Sequence, residues 1–297
     1  MTNADIAALA NAAAAQTDHT KAPEAKEFER EVAAPGKGIM RFREYIEIGE
    51  HPNASKAYPD KKPSRKARFV FELCTPRHIQ VIPVEGKDDL IIPHVLGVTV
   101  AMPDTGKPAH AKSAYAKLFA KLNYDGKLQH PAQALGRAYV VDILAGYDAD
   151  SYEGAKLKEG AKQKYANFKD ADGSFLISPP RVEDPLSGVV TELNVPEIKG
   201  ALKIFLYDNP SKVTWDSLFI DGEYEKEEKG VKVKVSKNWI QETIKKALDF
   251  TGSKVHQLLE AGDPNALDNL PTGTDKVEVK TEVSTPATAD PLAAFGI

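Results

Sequence analysis

The chain has 297 residues, 42% of them hydrophobic, with 39 Lys and Arg against 43 Asp and Glu and a formal net charge of −4. That length holds one large domain or two small ones with a real core, and it contains no run of about 18 apolar residues that would span a membrane. A single cysteine, Cys74, excludes an intramolecular disulfide and any Cys-based zinc cage.

Residues 1–34 are mostly Ala, Asn, Thr and charged side chains. A helix over 6–15 has only Ile6 and Leu9 to bury, so the segment reads as a mobile arm. With Asp5, no early Lys or Arg and no apolar core, it is not a signal peptide, and the expectation is a soluble cytoplasmic protein.

The Pro35-Gly36-Lys37-Gly38 run punctuates the start of the folded region. By strand alternation, Met40, Phe42, Ile46 and Ile48 share one face of the next segment and Arg41, Arg43 and Tyr45 the other. A second alternating run puts Phe69, Phe71 and Leu73 on one face, and Cys74 at its end reads as a buried structural thiol. Between the two lies a Pro- and Lys-rich loop. Short strands follow at 78–84, 90–92 and 95–100.

Residues 113–123 form the clearest helix of the first half, with Tyr115, Leu118, Phe119 and Leu122 on one face and Lys117 and Lys121 on the other. Strands are expected at 138–144, 175–177, 202–207, 218–220 and 232–235, and a helix at 238–250. Ser253 caps a second helix through Glu260 that Gly262 stops. Beyond Asp263 the composition turns acidic without periodicity. The domain reading is an arm over 1–34, a core over 35–235, a helical appendage over 236–262 and a disordered acidic tail over 263–297. Strands in series with one mid-chain helix predict a mainly β fold with α additions, an OB-like Greek-key barrel with long insertions.

Catalytic signatures are absent: no GxxxxGK[ST], no strand-linked GxGxxG and no GxSxG. The seven histidines show no HxH or HxxxH spacing, although His78 and His94 bracket a hairpin and can meet. Asp216 and Asp221 flank an apolar run, which keeps a metal-dependent nuclease as an alternative.

Charge is segregated along the chain. Between residues 51 and 80, Lys56, Lys61, Lys62, Arg65, Lys66, Arg68 and Arg77 outnumber Asp60 and Glu72, whereas the region after 257 is acidic. A single strand of nucleic acid needs cations along its phosphates and rings for its bases. Arg41, Arg43 and Tyr45 supply both on one predicted face, Tyr58 adds a ring in the basic loop, and Lys117 and Lys121 extend the track.

The run Gly38-x-Met40-x-Phe42-Arg43-x-Tyr45-Ile46-Glu47-Ile48-Gly49 and the segments at 69–73, 113–126, 135–142 and 215–222 resemble a diverse group of tailed-phage proteins. Its members are described as single-stranded DNA-binding proteins of the replication region, or only as structural proteins. The resemblance spans roughly residues 35–225. It implies an OB-type fold, no cofactor and no catalytic activity, and a role in DNA replication or recombination in the host cytoplasm, alone or as a homo-oligomer. It also implies recruitment of replication proteins through an acidic tail, here carrying Asp290 and Phe295, although Phe295 is not terminal. The leading expectation is therefore a sequence-independent single-stranded DNA-binding protein. A virion structural or assembly protein is the other alternative.

Overall fold

The computed structural model describes residues 31–53, 60–84, 86–104, 106–153, 156–184, 186–228 and 231–261. The chain is mainly β, built on one long strand, β1 (Gly36–His51). Antiparallel to it run β2 (Ser64–Leu73) along most of its length and β6 (Ala138–Gly146) along Gly36–Arg41. Where β6 leaves, β13 (Lys203–Phe205) pairs in parallel with Glu44–Ile46. β5 (Val95–Ala101) extends the sheet beyond β2, and β10 (Ile177–Ser178) extends it beyond β6, giving the order β10-β6-β1-β2-β5, with β9 (Tyr165–Asn167) also on β6. Among the described residues β5 and β10 do not pair, so no closed barrel forms. Smaller hairpins are β3 (Ile79–Ile82) with β4 (Leu90–Pro93), β7 (Tyr152–Glu153) with β8 (Lys156–Leu157), β11 (Arg181–Glu183) with β12 (Val190–Glu192), and β14 (Glu223–Glu228) with β15 (Val231–Ser236).

Two bulges decide what β1 does with its side chains. The β1–β2 register slips between Phe42 and Glu44 and again between Glu47 and Gly49. A bulge inserts one unpaired residue and flips the parity of everything after it. Met40 and Phe42 therefore share a core with Tyr45, while Ile46 and Ile48 face the opposite side, contrary to the simple alternation expected from sequence.

The first core combines Phe42, Tyr45, Phe69, Phe71 and Leu73 with helix α1 (Ala114–Leu122), which runs beneath the sheet and touches both β5 and β10. The Ser113 hydroxyl caps α1 by accepting from the Ala116 N–H at 3.1 Å, and Tyr115, Leu118 and Leu122 are its buried stripe. The second core gathers Ile46, Ile48, Phe205 and Tyr207 with residues of three helices, α2 (Lys212–Asp216), α3 (Trp239–Lys245) and α4 (Lys254–Ala261). The segment after 236 thus shares a core with β1.

Other departures have local causes. The strand expected at 218–220 is the turn that ends α2, with Leu218 buried in the second core. The second-half helix stops at Lys245, and Leu248 is exposed while its N–H bonds the Glu50 carbonyl at 2.8 Å. The tip of the expected arm is anchored: Ala33 is buried, and the Ala34 carbonyl contacts His78 Nε2 at 3.0 Å. Residues 1–30 and the tail from 262 lie outside the described residues. Cys74 is buried, and burial pushes its thiol up to about 11, as an inert structural thiol requires. No described helix is long and apolar enough to cross a membrane.

Candidate nucleic-acid interface

Arg41, Arg43 and Tyr45, expected on one accessible face, are each committed elsewhere. Tyr45 is fully buried, edge-on to Phe69 and His130 at 5.2 Å, with its hydroxyl donating to Glu47 at 3.1 Å. Burial raises its phenol far above the ordinary range, with Glu47 adding to the effect. A ring in that position stacks on the core and not on a base.

Arg41 spends its guanidinium on the carbonyls of Gly136, Val195 and Pro196 at 2.7–2.8 Å and on Glu197 at 3.0 Å. Arg43, the bulge residue, is gripped by Glu44 and Glu72. Glu72 is 1% exposed and also accepts from the N–H groups of Lys199 and Gly200. These contacts clamp the segment 193–200 over the outer side of β1. The converging Arg41–Arg43–Tyr45 surface is therefore not formed, because the bulge at Arg43 turns Tyr45 inward, buried carboxylates take Arg43, and backbone carbonyls with Glu197 take Arg41.

The basic residues after β1 divide into two groups. Arg65 is neutralised: it pairs with Asp208 and with Asp249 (3.1 Å) and lies 5.5 Å from the centre of the Tyr207 ring. Burial opposes its charge, but the two aspartates outweigh that and raise its pKa. Lys61, Lys62 and Lys66 have no carboxylate within salt-bridge range among the described residues. Lys66 donates only to the Pro52 carbonyl at 2.8 Å. Its ammonium is destabilised, first by partial burial and then by repulsion from Lys61. Lys61 and Lys66 thus crowd each other without a carboxylate partner among the described residues.

Two residues along β2 on the same face, Arg68 lies beside Gly97, where an added Cβ would come within 2.8 Å of the guanidinium. Glycine at 97 is what lets the arginine lie flat on the sheet. The guanidinium stacks 4.8 Å from the centre of the Trp239 ring, and its Nε is buried without a hydrogen-bond partner. Burial lowers its pKa, with Glu44 partly compensating. Trp239 is itself 43% exposed.

The remaining candidates are not brought onto this face. Arg77 caps the Lys37 carbonyl at the far end of β1. Lys117 donates to the Asp172 carbonyl at 2.9 Å, and it and the exposed Lys121 sit on α1, across the sheet from Lys66 and Arg68. Lys56, Tyr58, Asp290 and Phe295 lie outside the described residues. For the nuclease alternative, Asp216 is held by Lys212 at 2.6 Å and the Asp221 carboxylate accepts from the Gly222 N–H. His78 and His94 do meet, with the His94 N–H donating to the His78 carbonyl at 2.9 Å. Among the described residues, no group of three or more His, Cys, Asp or Glu is arranged to hold a metal.

Sequence periodicity puts Ile240, Ile244, Ala247 and Leu248 on one side of the helix at 238–250 and passes over Trp239; of the four, Leu248 is exposed. A large ring off that stripe was the available signal. Compared with protein families, curated proteins and solved structures, the chain has no match.

Proposed function

We propose that the chain is a sequence-independent single-stranded DNA-binding protein, acting by coating DNA in phage replication or recombination. The observation that carries this reading is the crowding of Lys61 against Lys66, with no carboxylate partner for Lys61, Lys62 or Lys66 among the described residues, at the end of a strand whose next outward side chain is Arg68. A protein that keeps cations apart from its abundant carboxylates retains a steering field for a polyanion. By contrast, Arg41, Arg43 and Arg65 are quenched by carboxylates at short range.

The strand path supports the same reading. The order β10-β6-β1-β2-β5, with α1 between β5 and β6, is the one an OB-type Greek key would give if opened between its third and fifth strands. OB-folds take oligonucleotides on the face of their second and third strands and with the loop joining the first two. Here those are β2, β5 and the loop bearing Lys61 and Lys62.

The test is a titration of fluorescent oligo-dT across a salt series. Each single-strand phosphate contact contributes roughly 0.7 to the slope of log affinity against log salt. The triple variant K61A/K62A/K66A is expected to flatten that slope by about 2. An unchanged slope and affinity, or a parent that binds no oligonucleotide, overturns the proposal.

A further inference from the structure

The indole of Trp239 belongs to no core. It lines an open groove with Lys234, Val235, Ser236, Glu242, Thr243 and Lys246, where α3 meets the β14–β15 hairpin. Buried aromatic rings elsewhere in the chain pack on one another; Trp239 packs on a cation and leaves 43% of its surface exposed. Tyr224, across the hairpin from Val235, is 46% exposed.

The charges around the groove are lopsided. Glu242, its acidic wall residue, is met by Lys245 at 3.8 Å. Lys234 and Lys246 have no carboxylate within salt-bridge range among the described residues, and Arg68 lies behind the ring. A ring edged by uncommitted cations fits a ligand with a flat π-face joined to phosphate. A cation parked on the indole also holds the ring at a fixed angle, so that less freedom is lost when a second flat group stacks.

We propose that Trp239 is the base-stacking platform of the single-strand interface, receiving one unpaired nucleobase, with Lys234 and Lys246 meeting the flanking phosphates and Arg68 as its positioning residue. This rests on the function proposed above and deepens it by extending the lysine track from Lys66 through Arg68 to a ring. Base–aromatic stacking tolerates any base, so the platform adds affinity without sequence preference.

The chain has two tryptophans, and Trp215 is buried against Phe205. In W215F, all indole emission therefore reports Trp239. Titration with oligo-dT, followed at once by indole emission and by anisotropy of a dye on the DNA, is expected to show quenching that tracks binding and reverses with salt. Blunt duplex DNA, whose bases are already stacked, is expected to leave the emission unchanged. W239A is expected to bind oligo-dT about tenfold more weakly, with W239F intermediate. R68Q is expected to lower affinity and shrink the quench at saturation, and R68K to restore part of both. Binding by anisotropy with unchanged emission, or full affinity in W239A, overturns the platform while leaving the binding function intact; no anisotropy change at all overturns the function itself. Should W215F fail to fold, the same quench is read as the difference between the parent and W239F.

Discussion

At the scale of single residues, Arg41, Arg43 and Arg65 part company with Lys61, Lys62 and Lys66. Arg41, Arg43 and Arg65 present forked donors to carbonyls and carboxylates and fasten loops to the sheet. Lys61, Lys62 and Lys66 keep their ammonium groups uncommitted to carboxylates among the described residues. Sequence alone gave the two groups the same weight, because the acids that take the arginines, Glu72, Asp208 and Asp249, come from distant parts of the chain. R65A is therefore expected to leave the salt slope of DNA binding unchanged while costing roughly 1 kcal/mol of stability, the range of partly exposed ion pairs. Salt titration and urea melts check the two halves.

His78 carries a pH dependence of its own. It is fully buried, and burial lowers its pKa, with Arg77 and His94 pushing the same way and the Ala34 carbonyl opposing. An unfolded histidine titrates near about 6.5, so on acidification the unfolded chain takes up protons that the folded one refuses. The His78 contribution is present above that pH and is lost as pH falls below it. Urea midpoints at neutral and mildly acidic pH are expected to drop in the parent and to drop less in H78Q.

At the scale of elements, the strands and helices with clean periodicity were legible and those with interrupted periodicity were not. The helix beginning after Ser113 and the strand after Ala138 fall where alternation and capping put them, because each presents one unbroken apolar face to one core. β1 misleads because the bulges at Arg43 and Ile48 change parity twice in one strand, and the local sequence marks only the second, through Gly49. The strand Glu223–Glu228 was missed because its sequence, EYEKEE, offers no apolar face to find.

The second bulge leads to Gly49, whose φ of +81° suits glycine. A Cβ there would come within 2.6 Å of Ala247 Cβ and 2.7 Å of the Tyr207 ring. G49A is expected to cost well over about 1 kcal/mol, since strain and clash add, and to loosen the packing after α3 first. Thermal melts and near-UV circular dichroism of the tryptophans would register both.

At the scale of the whole molecule, residues 32–261 are organised by sharing. Helices α3 and α4 cover Ile46, Ile48, Phe205 and Trp215, so a chain ending at residue 236 would expose the second core. Such a truncation is expected to lose cooperative thermal unfolding and to bind a hydrophobic dye. If it melts as sharply as the parent, the two cores are independent. The mainly β class was legible from the run of short strands. The placement of the proposed binding face was only half legible: the basic loop is conspicuous in sequence, but the face it joins depends on β2 and β5 pairing in space, on Gly97 leaving room, and on a ring contributed from about 170 residues downstream of Arg68.

That β1 is a party wall between two interiors has an evolutionary corollary. A change on either side of a shared partition is felt by both tenants, so positions 40–48 have little freedom to drift. The loop at 60–63 borders neither interior, and its charges can be traded without disturbing anything beneath. Under the proposed function, preference for one polyanion over another can therefore shift at that loop while the frame holding it stays fixed.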